Sequence, residues 1–444
     1  MRNLCQRMSL WISVFSMIII GSVSVCLAEG RFHLSGYGNA HMMDHNGLPK
    51  LLDRDDPSIA KHDPNDTFLQ IREFSLFFDF SVTDGVLASV EIEAGKDASA
   101  FTPNYAYVEF DIPTIADVWD EDRFGGLTLR VGKIIVPFLS YNENKPNFKQ
   151  NLMSQPFTAW NLVPVIPSPP DFVGLGWSDT GGVLNWNHEL GESGLVDLKL
   201  SVINGIQSDA AVLDANAIRL DHVAMPPMSP AVVRPRDGLI QNGHGANDHG
   251  DVRDNNQNKA TVAKITVISA DFPVDIGFSW YQGAWDRAGK QDLTMQGVHL
   301  NWLERNWTLK GEWVRADVEQ TAGIDIIGMA MTSGINKSTG DYTMDAWYAE
   351  ASYIPLRYGN AEDRFIRMVL RYDAVDTNDQ AMFTPFDRSR ITAGSEWQFV
   401  SKARLRYEWQ RHTLNDFDKA PGPFKAAGGE EHVTMHMVSI IFWF

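Results

Sequence analysis

The sequence predicts an all-β fold, a 16-stranded antiparallel transmembrane β-barrel, and three observations lead to it. Sixteen segments alternate apolar and polar residues with the two-residue side-chain period of a strand. The connections between them run long and short in turn. The last segment ends on Phe444, with Phe442, Ile440 and Val438 at alternate positions before it. A strand with so apolar a face needs hydrocarbon or a core against it, and in lipid only a closed barrel leaves no unpaired edge.

Residues 1–28 read as a secretory signal peptide: Arg2 and Arg7 precede an apolar run over 10–27, and Cys26-Leu27-Ala28 makes a small-residue cleavage site. The mature domain is then 29–444. Val25 before Cys26 fits a lipoprotein site poorly. Both cysteines, Cys5 and Cys26, fall in the leader, so no disulfide, thiolate metal site or cysteine nucleophile is expected. Beyond residue 28 no run of 18 apolar residues occurs, so no transmembrane helix is expected. The formal charge is −18, and losing Arg2 and Arg7 takes it to about −20. Such acidity argues against nucleic acid as a partner. The 35 Gly, 14 Trp and 24 Phe suit a barrel with aromatic girdles facing outer-membrane lipid.

Residues 32–42 read as the first strand. In 68–82 Phe74, Leu76, Phe78, Phe80 and Val82 share one face; Thr83-Asp84-Gly85 turns, and Val86, Ala88, Val90, Ile92 and Ala94 share a face of the third strand. Strands follow at 105–112 and 127–134, then a Pro-rich loop over 135–171. Further strands are expected at 172–187, 195–204, 259–269, 273–283, 293–303, 307–318, 342–355, 363–373, 389–400, 403–412 and at the end of the chain. In 273–283 Val274, Ile276, Phe278 and Trp280 point out, and Asp275, Gly277, Ser279 and Tyr281 point in. Connections after odd-numbered strands are mostly long, and several after even-numbered ones are two or three residues. Short periplasmic turns and long outer loops have this rhythm. Sixteen strands enclose an aqueous channel, so a pore is the expected function.

Strand parity assigns the lumen. Its carboxylates are Glu73, Asp79, Glu91, Glu93, Glu109 and Asp111 on the second to fourth strands, then Asp197, Asp275, Glu312, Glu350, Asp373, Glu396 and Glu408. Its bases are Arg130, Lys199, Lys264, Lys310, Arg367, Arg371, Arg404 and Arg406. Opposed acidic and basic walls in a wet channel are expected to act on a permeant as a field. Two groups have side chains able to take a cation: His244, Asp248, His249 and Asp251 in one loop, and Asp373, Asp376, Asn378 and Asp379, which lack the Gly and distant Glu of an EF-hand. A solvated loop explains both better, and no metal or other cofactor is expected. His432 and His436 are expected outward, at an interface. On the last strand Met435, Met437 and Ile441 face inward, which suits packing on the inward loop or a neighbouring subunit.

The runs LTLRVGKIIVPF (127–138), LKLSVINGI (198–206), NNQNKATVAKITV (255–267), AWYAEASYI (346–354), LRYDAVDTND (370–379) and RITAGSEW (390–397) resemble the phosphate-selective porin O and P family. The resemblance implies a homotrimeric porin of the bacterial outer membrane that passes small hydrophilic solutes and ions. It also implies a third outer loop folded inward at the constriction, the position held here by 135–171. Phosphate-binding members concentrate Lys and Arg there, whereas this loop offers Lys145 and Lys149 with Glu143 nearby. Two other classes compete, an enzyme on a barrel scaffold and an adhesive protein acting through 205–258. No Ser-His or Asp-His constellation supports the enzyme, so no bond chemistry is expected.

Overall fold

The computed structural model describes residues 32–46, 68–94, 101–116, 126–144, 149–160, 177–205, 207–208, 240–241, 258–284, 289–319, 341–359, 364–376, 379, 387–416, 418 and 431–444. The leader, Lys145, and the loop holding His244, Asp248, His249 and Asp251 lie outside them, as does most of 205–258.

Sixteen strands close into one antiparallel barrel. They are β1 (Phe32–Asn46), β2 (Phe68–Thr83), β3 (Val86–Ala94), β4 (Phe101–Asp111), β5 (Gly126–Ile135), β6 (Ser178–Glu189), β7 (Gly194–Ile203) and β8 (Ala260–Ser269). Then come β9 (Val274–Ala284), β10 (Asp292–Glu304), β11 (Trp307–Val318), β12 (Tyr342–Arg357), β13 (Phe365–Asp376), β14 (Arg388–Val400), β15 (Ala403–Leu414) and β16 (His432–Trp443). Each strand pairs with its sequence neighbours, and β16 pairs with β1. A separate two-stranded sheet joins 207–208 to 240–241.

Closure depends on the ends. Gly38 stands opposite Phe442 and Asn39 opposite Ile441, while the Phe444 N–H donates to the Gly36 carbonyl at 3.0 Å. A Cβ on Gly38 would lie 2.5 Å from the Phe442 ring, so the missing side chain there is what lets the ring lie flat on β1.

Parity holds round the barrel. Ile276, Phe278, Leu370, Trp397 and Ile440 are exposed on the outside, and Ser279, Tyr281, Arg371, Glu396 and Met437 are buried within. Exposed Trp307, Trp313 and Trp347 also lie on the outer face, with Trp307 4.4 Å from Tyr353 between ring centroids. His436 faces out and bonds the Tyr407 hydroxyl at 2.9 Å.

Two expectations change. The fourth strand starts earlier than 105 and stops at Asp111; Ile112 opens a short helix, α1 (Ile112–Ala116), because Pro113 has no N–H for a ladder. The interior is also not polar throughout. Inward residues Val262, Tyr281, Met295, Val314, Ala316 and Met344 of β8–β12 are fully buried and form one apolar cluster with Ile134, Val136, Phe138, Phe157 and Trp177. The cause lies in the chain after β5, which turns into the barrel and offers those strands an apolar surface.

Candidate functional site

That inward segment, described over 136–144 and 149–160, is the candidate site. It leaves the wall at Val136, whose N–H donates to the Trp177 carbonyl at 3.0 Å. Asn142 fastens this neck: its amide donates to the carbonyls of Val136 (2.7 Å) and Trp177 (3.0 Å), and its oxygen accepts the Trp177 N–H at 2.6 Å. Trp177 then packs edge-on to Tyr281 of β9, centroids 5.4 Å apart.

Beyond the neck the backbone has left every ladder, so its N–H and C=O groups need partners inside the barrel. Wall charges supply them, strand after strand. On β8, Lys264 donates to the Leu139 carbonyl at 2.7 Å. On β9, the Ser279 hydroxyl accepts the Leu139 N–H at 2.9 Å. On β11, the Glu312 carboxylate accepts the N–H groups of Ser140 (2.9 Å) and Tyr141 (2.7 Å) and the Thr158 hydroxyl (2.9 Å). On β12, Glu350 accepts from the Asn151 amide at 2.8 Å. On β15, Glu408 accepts the N–H groups of Met153 and Ser154, at 2.7 and 3.2 Å.

The arginines take the carbonyls. Arg371 donates to the Ser154 carbonyl (2.9 Å) and hydroxyl (2.5 Å), Arg390 to the Gln155 carbonyl (2.5 Å), and Arg406 to the Gln150 carbonyl (2.5 Å). Each is held in turn by a carboxylate. Arg371 and Arg390 lie 3.0 and 3.1 Å from Asp373, and Arg406 lies 2.9 Å from Glu396. Glu396 also holds Arg367 at 3.1 Å and Arg404 at 3.3 Å. Phe157, which starts the helix α2 (Phe157–Trp160), donates its N–H to Asp373 at 3.2 Å. Its ring lies 4.5 Å under the Arg390 guanidinium.

Apolar contacts finish the docking. Met153 packs with Val433, Met435 and Met437 of β16, so the inward methionines of the last strand do meet the inward loop. Leu139 lies over Gly297 and Leu152 over Gly394, positions where a Cβ would come within 2.8 and 2.5 Å.

Glu143 marks the segment's other charged contact. It pairs with Lys264 and with Lys199, the latter at 2.5 Å, and Lys199 also reaches Asp197 at 3.1 Å. Burial pushes the Glu143 carboxyl up, but the two ammonium groups outweigh it and hold the group below its ordinary value.

The bases named from sequence thus divide. Arg367, Arg371, Arg404, Arg406, Lys199 and Lys264 are paired, and all but Arg404 and Lys199 of that set contact the segment's backbone or its Asn151 side chain directly. Lys199 reaches the segment through Glu143, and Arg404 bonds Gln398 at 2.7 Å. These wall charges form close ion pairs and backbone contacts, where a diffuse field was expected, because the segment shuts water away from them. Lys149 is exposed on the segment, and Lys310 stands opposite Glu350 in register. Asp373 is committed to Arg371 and Arg390, which takes it out of the calcium grouping; among the described residues no cluster of three or more metal-ligating side chains occurs. Sequence reasoning missed Arg388 and Arg390, although they share the parity of Glu396 on β14 and could have been read from it.

On the opposite wall Glu91 accepts from the Asn104 amide at 2.7 Å, and Glu93 stands opposite Ser75. Arg130 bonds Glu109, with its guanidinium 5.3 Å over the Tyr107 ring. Asp111 accepts the Thr114 hydroxyl at 2.6 Å and so caps the turn after β4.

No family model and no curated protein matches the sequence. Solved structures do share the architecture. An anion-selective porin from Comamonas acidovorans aligns at TM-score 0.51 with 11% identity, covering 93% of this chain and 99% of that one. The outer-membrane channel DcaP of Acinetobacter baumannii aligns at 0.51 with 14% identity, covering 93% and 97%. OmpF of Salmonella typhi, solved with daunomycin, aligns at 0.51 with 10% identity, covering 94% and 98%. At these identities the likeness is one of fold.

Proposed function

We propose that this chain is a porin of the bacterial outer membrane, a channel for passive diffusion of small hydrophilic solutes and ions that does no bond chemistry. One observation carries the reading: a closed 16-stranded barrel, apolar outside, holds a segment of its own chain against its inner wall. The outer face suits hydrocarbon, the two-residue and four-residue turns suit the periplasmic end, and the inward segment narrows a lumen that would otherwise be wide. The 28-residue leader read from the sequence accords with export. Assembly as a homotrimer is part of the proposal, supported by the family resemblance of the short motifs.

Selectivity for phosphate has less behind it. The cations that a phosphate site would need on the segment are Lys145, outside the described residues, and Lys149, and the wall arginines Arg371, Arg390 and Arg406 are committed to carboxylates and backbone carbonyls. Reconstitution of the purified protein in planar bilayers tests the channel reading. Stepwise conductance is expected, and a folded, inserted protein that conducts nothing would sink it.

A further inference from the structure

We propose that Glu396 is the positioning residue for the tip of the inward segment: it holds the arginines that hold residues 150 and 151, and through them it sets how the segment narrows the lumen. The proposal rests on the channel reading above and deepens it by naming the group that fixes the narrowing.

Glu396 differs from the other wall carboxylates at this site. Glu312, Glu350, Asp373 and Glu408 each accept hydrogen bonds from the segment itself. The Glu396 carboxylate, fully buried on β14, bonds only arginines among the described residues. The ladder explains the grouping. Arg367 of β13 and Arg406 of β15 stand directly opposite Glu396 on either side, and Arg404 shares the inward parity of Arg406. One carboxylate therefore serves three guanidinium groups, Arg367 at 3.1 Å, Arg406 at 2.9 Å and Arg404 at 3.3 Å.

A guanidinium is a rigid planar fork, so an acceptor on one N–H fixes where the others point. Glu396 takes the Nε of Arg406, which leaves Nη2 aimed at the Gln150 carbonyl, 2.5 Å away. It also takes Nη1 of Arg367, and the same nitrogen donates to the Asn151 side-chain oxygen at 2.7 Å. The other leg of the tip is tied to this one. The Gln150 side-chain amide donates to the Asn144 carbonyl, and the Asn144 N–H donates to the carbonyls of Ser140 (3.2 Å) and Tyr141 (3.1 Å). A displacement at Gln150 is thus felt on both sides of the tip, which carries the exposed Lys149.

Without the carboxylate, the three bases repel one another. The side chains of Arg367 and Arg404 are 17% and 15% exposed and can turn toward water, whereas that of Arg406, at 2%, cannot. Arg367 then leaves Asn151 to its bond with Glu350, and Gln150 loses a donor held in a fixed direction.

Trypsin digestion of the folded barrel in detergent tests this, with cleavage after Lys149 read by mass spectrometry. Glu396→Gln keeps the size of the side chain and removes its charge. Cleavage is expected to rise by about tenfold or more, because removing one member of a buried ion group leaves the rest uncompensated. Adding Arg404→Gln, which takes away one of the bases, is expected to reverse part of that rise. Unchanged cleavage in Glu396→Gln, or a rise that Arg404→Gln leaves undiminished, overturns the proposal, since a side chain that only fills space gains nothing from the loss of a base. Glu396→Asp covers a failure of Glu396→Gln to fold. It keeps the charge but withdraws it by one methylene, so its cleavage should exceed that of the wild type, and a wild-type rate overturns the proposal. None of these measurements needs a current. The expected digestion pattern in a barrel that conducts nothing would sink the channel reading alone.

Discussion

The guanidinium of Arg371 on β13 donates to both the carbonyl and the hydroxyl of Ser154, 217 positions away in sequence, at 2.9 and 2.5 Å. A charged side chain of the wall thus does for the inward segment what a neighbouring strand would do in a sheet. Replacing Arg371 by Ala leaves Asp373 and Glu350 with one fewer buried cation and Ser154 without its donor. Breaking a buried pair in this way costs about 3–5 kcal/mol. Arg371→Ala is expected to loosen the segment, giving larger and noisier single-channel currents, and Arg371→Lys, which keeps the charge but not the fork, should fall between it and wild type. Currents indistinguishable from wild type in Arg371→Ala would show that the contact does not hold the segment.

Glu312 makes a sharper test, since it accepts three donors from the segment. Glu312→Ala orphans two buried N–H groups, each costing about 1–3 kcal/mol. Glu312→Gln keeps one acceptor oxygen facing those N–H groups and lets the Thr158 hydroxyl turn to accept. Limited proteolysis of the segment in detergent should therefore rank Ala well above Gln, and Gln close to wild type.

Met153 carries the apolar contact with β16. Met153→Ala is expected to lower stability by about 2–5 kcal/mol through the cavity it leaves. The unfolding temperature read from heat-modified migration on gels should fall, and Met153→Leu should recover most of the loss.

The Glu143 clamp sets a pH dependence. Its carboxyl is held below the ordinary value of 4.5 by Lys264 and Lys199, although burial alone would raise it. A depressed folded value means that the stabilisation is fully present above the ordinary value and is lost as pH falls through the lowered one. Current noise from segment motion should stay flat down to the ordinary carboxylate range and rise only below it. Glu143→Gln should show the acid-type noise already at neutral pH. A noise transition near neutral pH in the wild type would contradict this.

Much of the barrel was legible in the residues themselves. Val274, Ile276 and Phe278 against Asp275, Gly277 and Ser279 fix which face of β9 looks inward, because a strand's period is two and the turns are too short to let register slip. The same argument put Arg371, Arg404, Arg406 and Glu408 in the interior and foretold that Met435 and Met437 would need an apolar partner. Parity says which side a side chain is on and nothing about what it meets there.

The sequence by itself therefore determined the strand count, the long and short connections, the outer face and the charged interior, all of which follow from local periodicity. Only the tertiary structure decided the use of that charge. The inward segment, over 136–144 and 149–158, meets wall residues 154 to 256 positions further along the chain, and its backbone, cut off from any ladder, draws Arg371, Arg390, Arg406, Glu312 and Glu408 into hydrogen bonds at the wall. No periodicity encodes that meeting, because it depends on which carbonyls and N–H groups the folded segment brings against which strand.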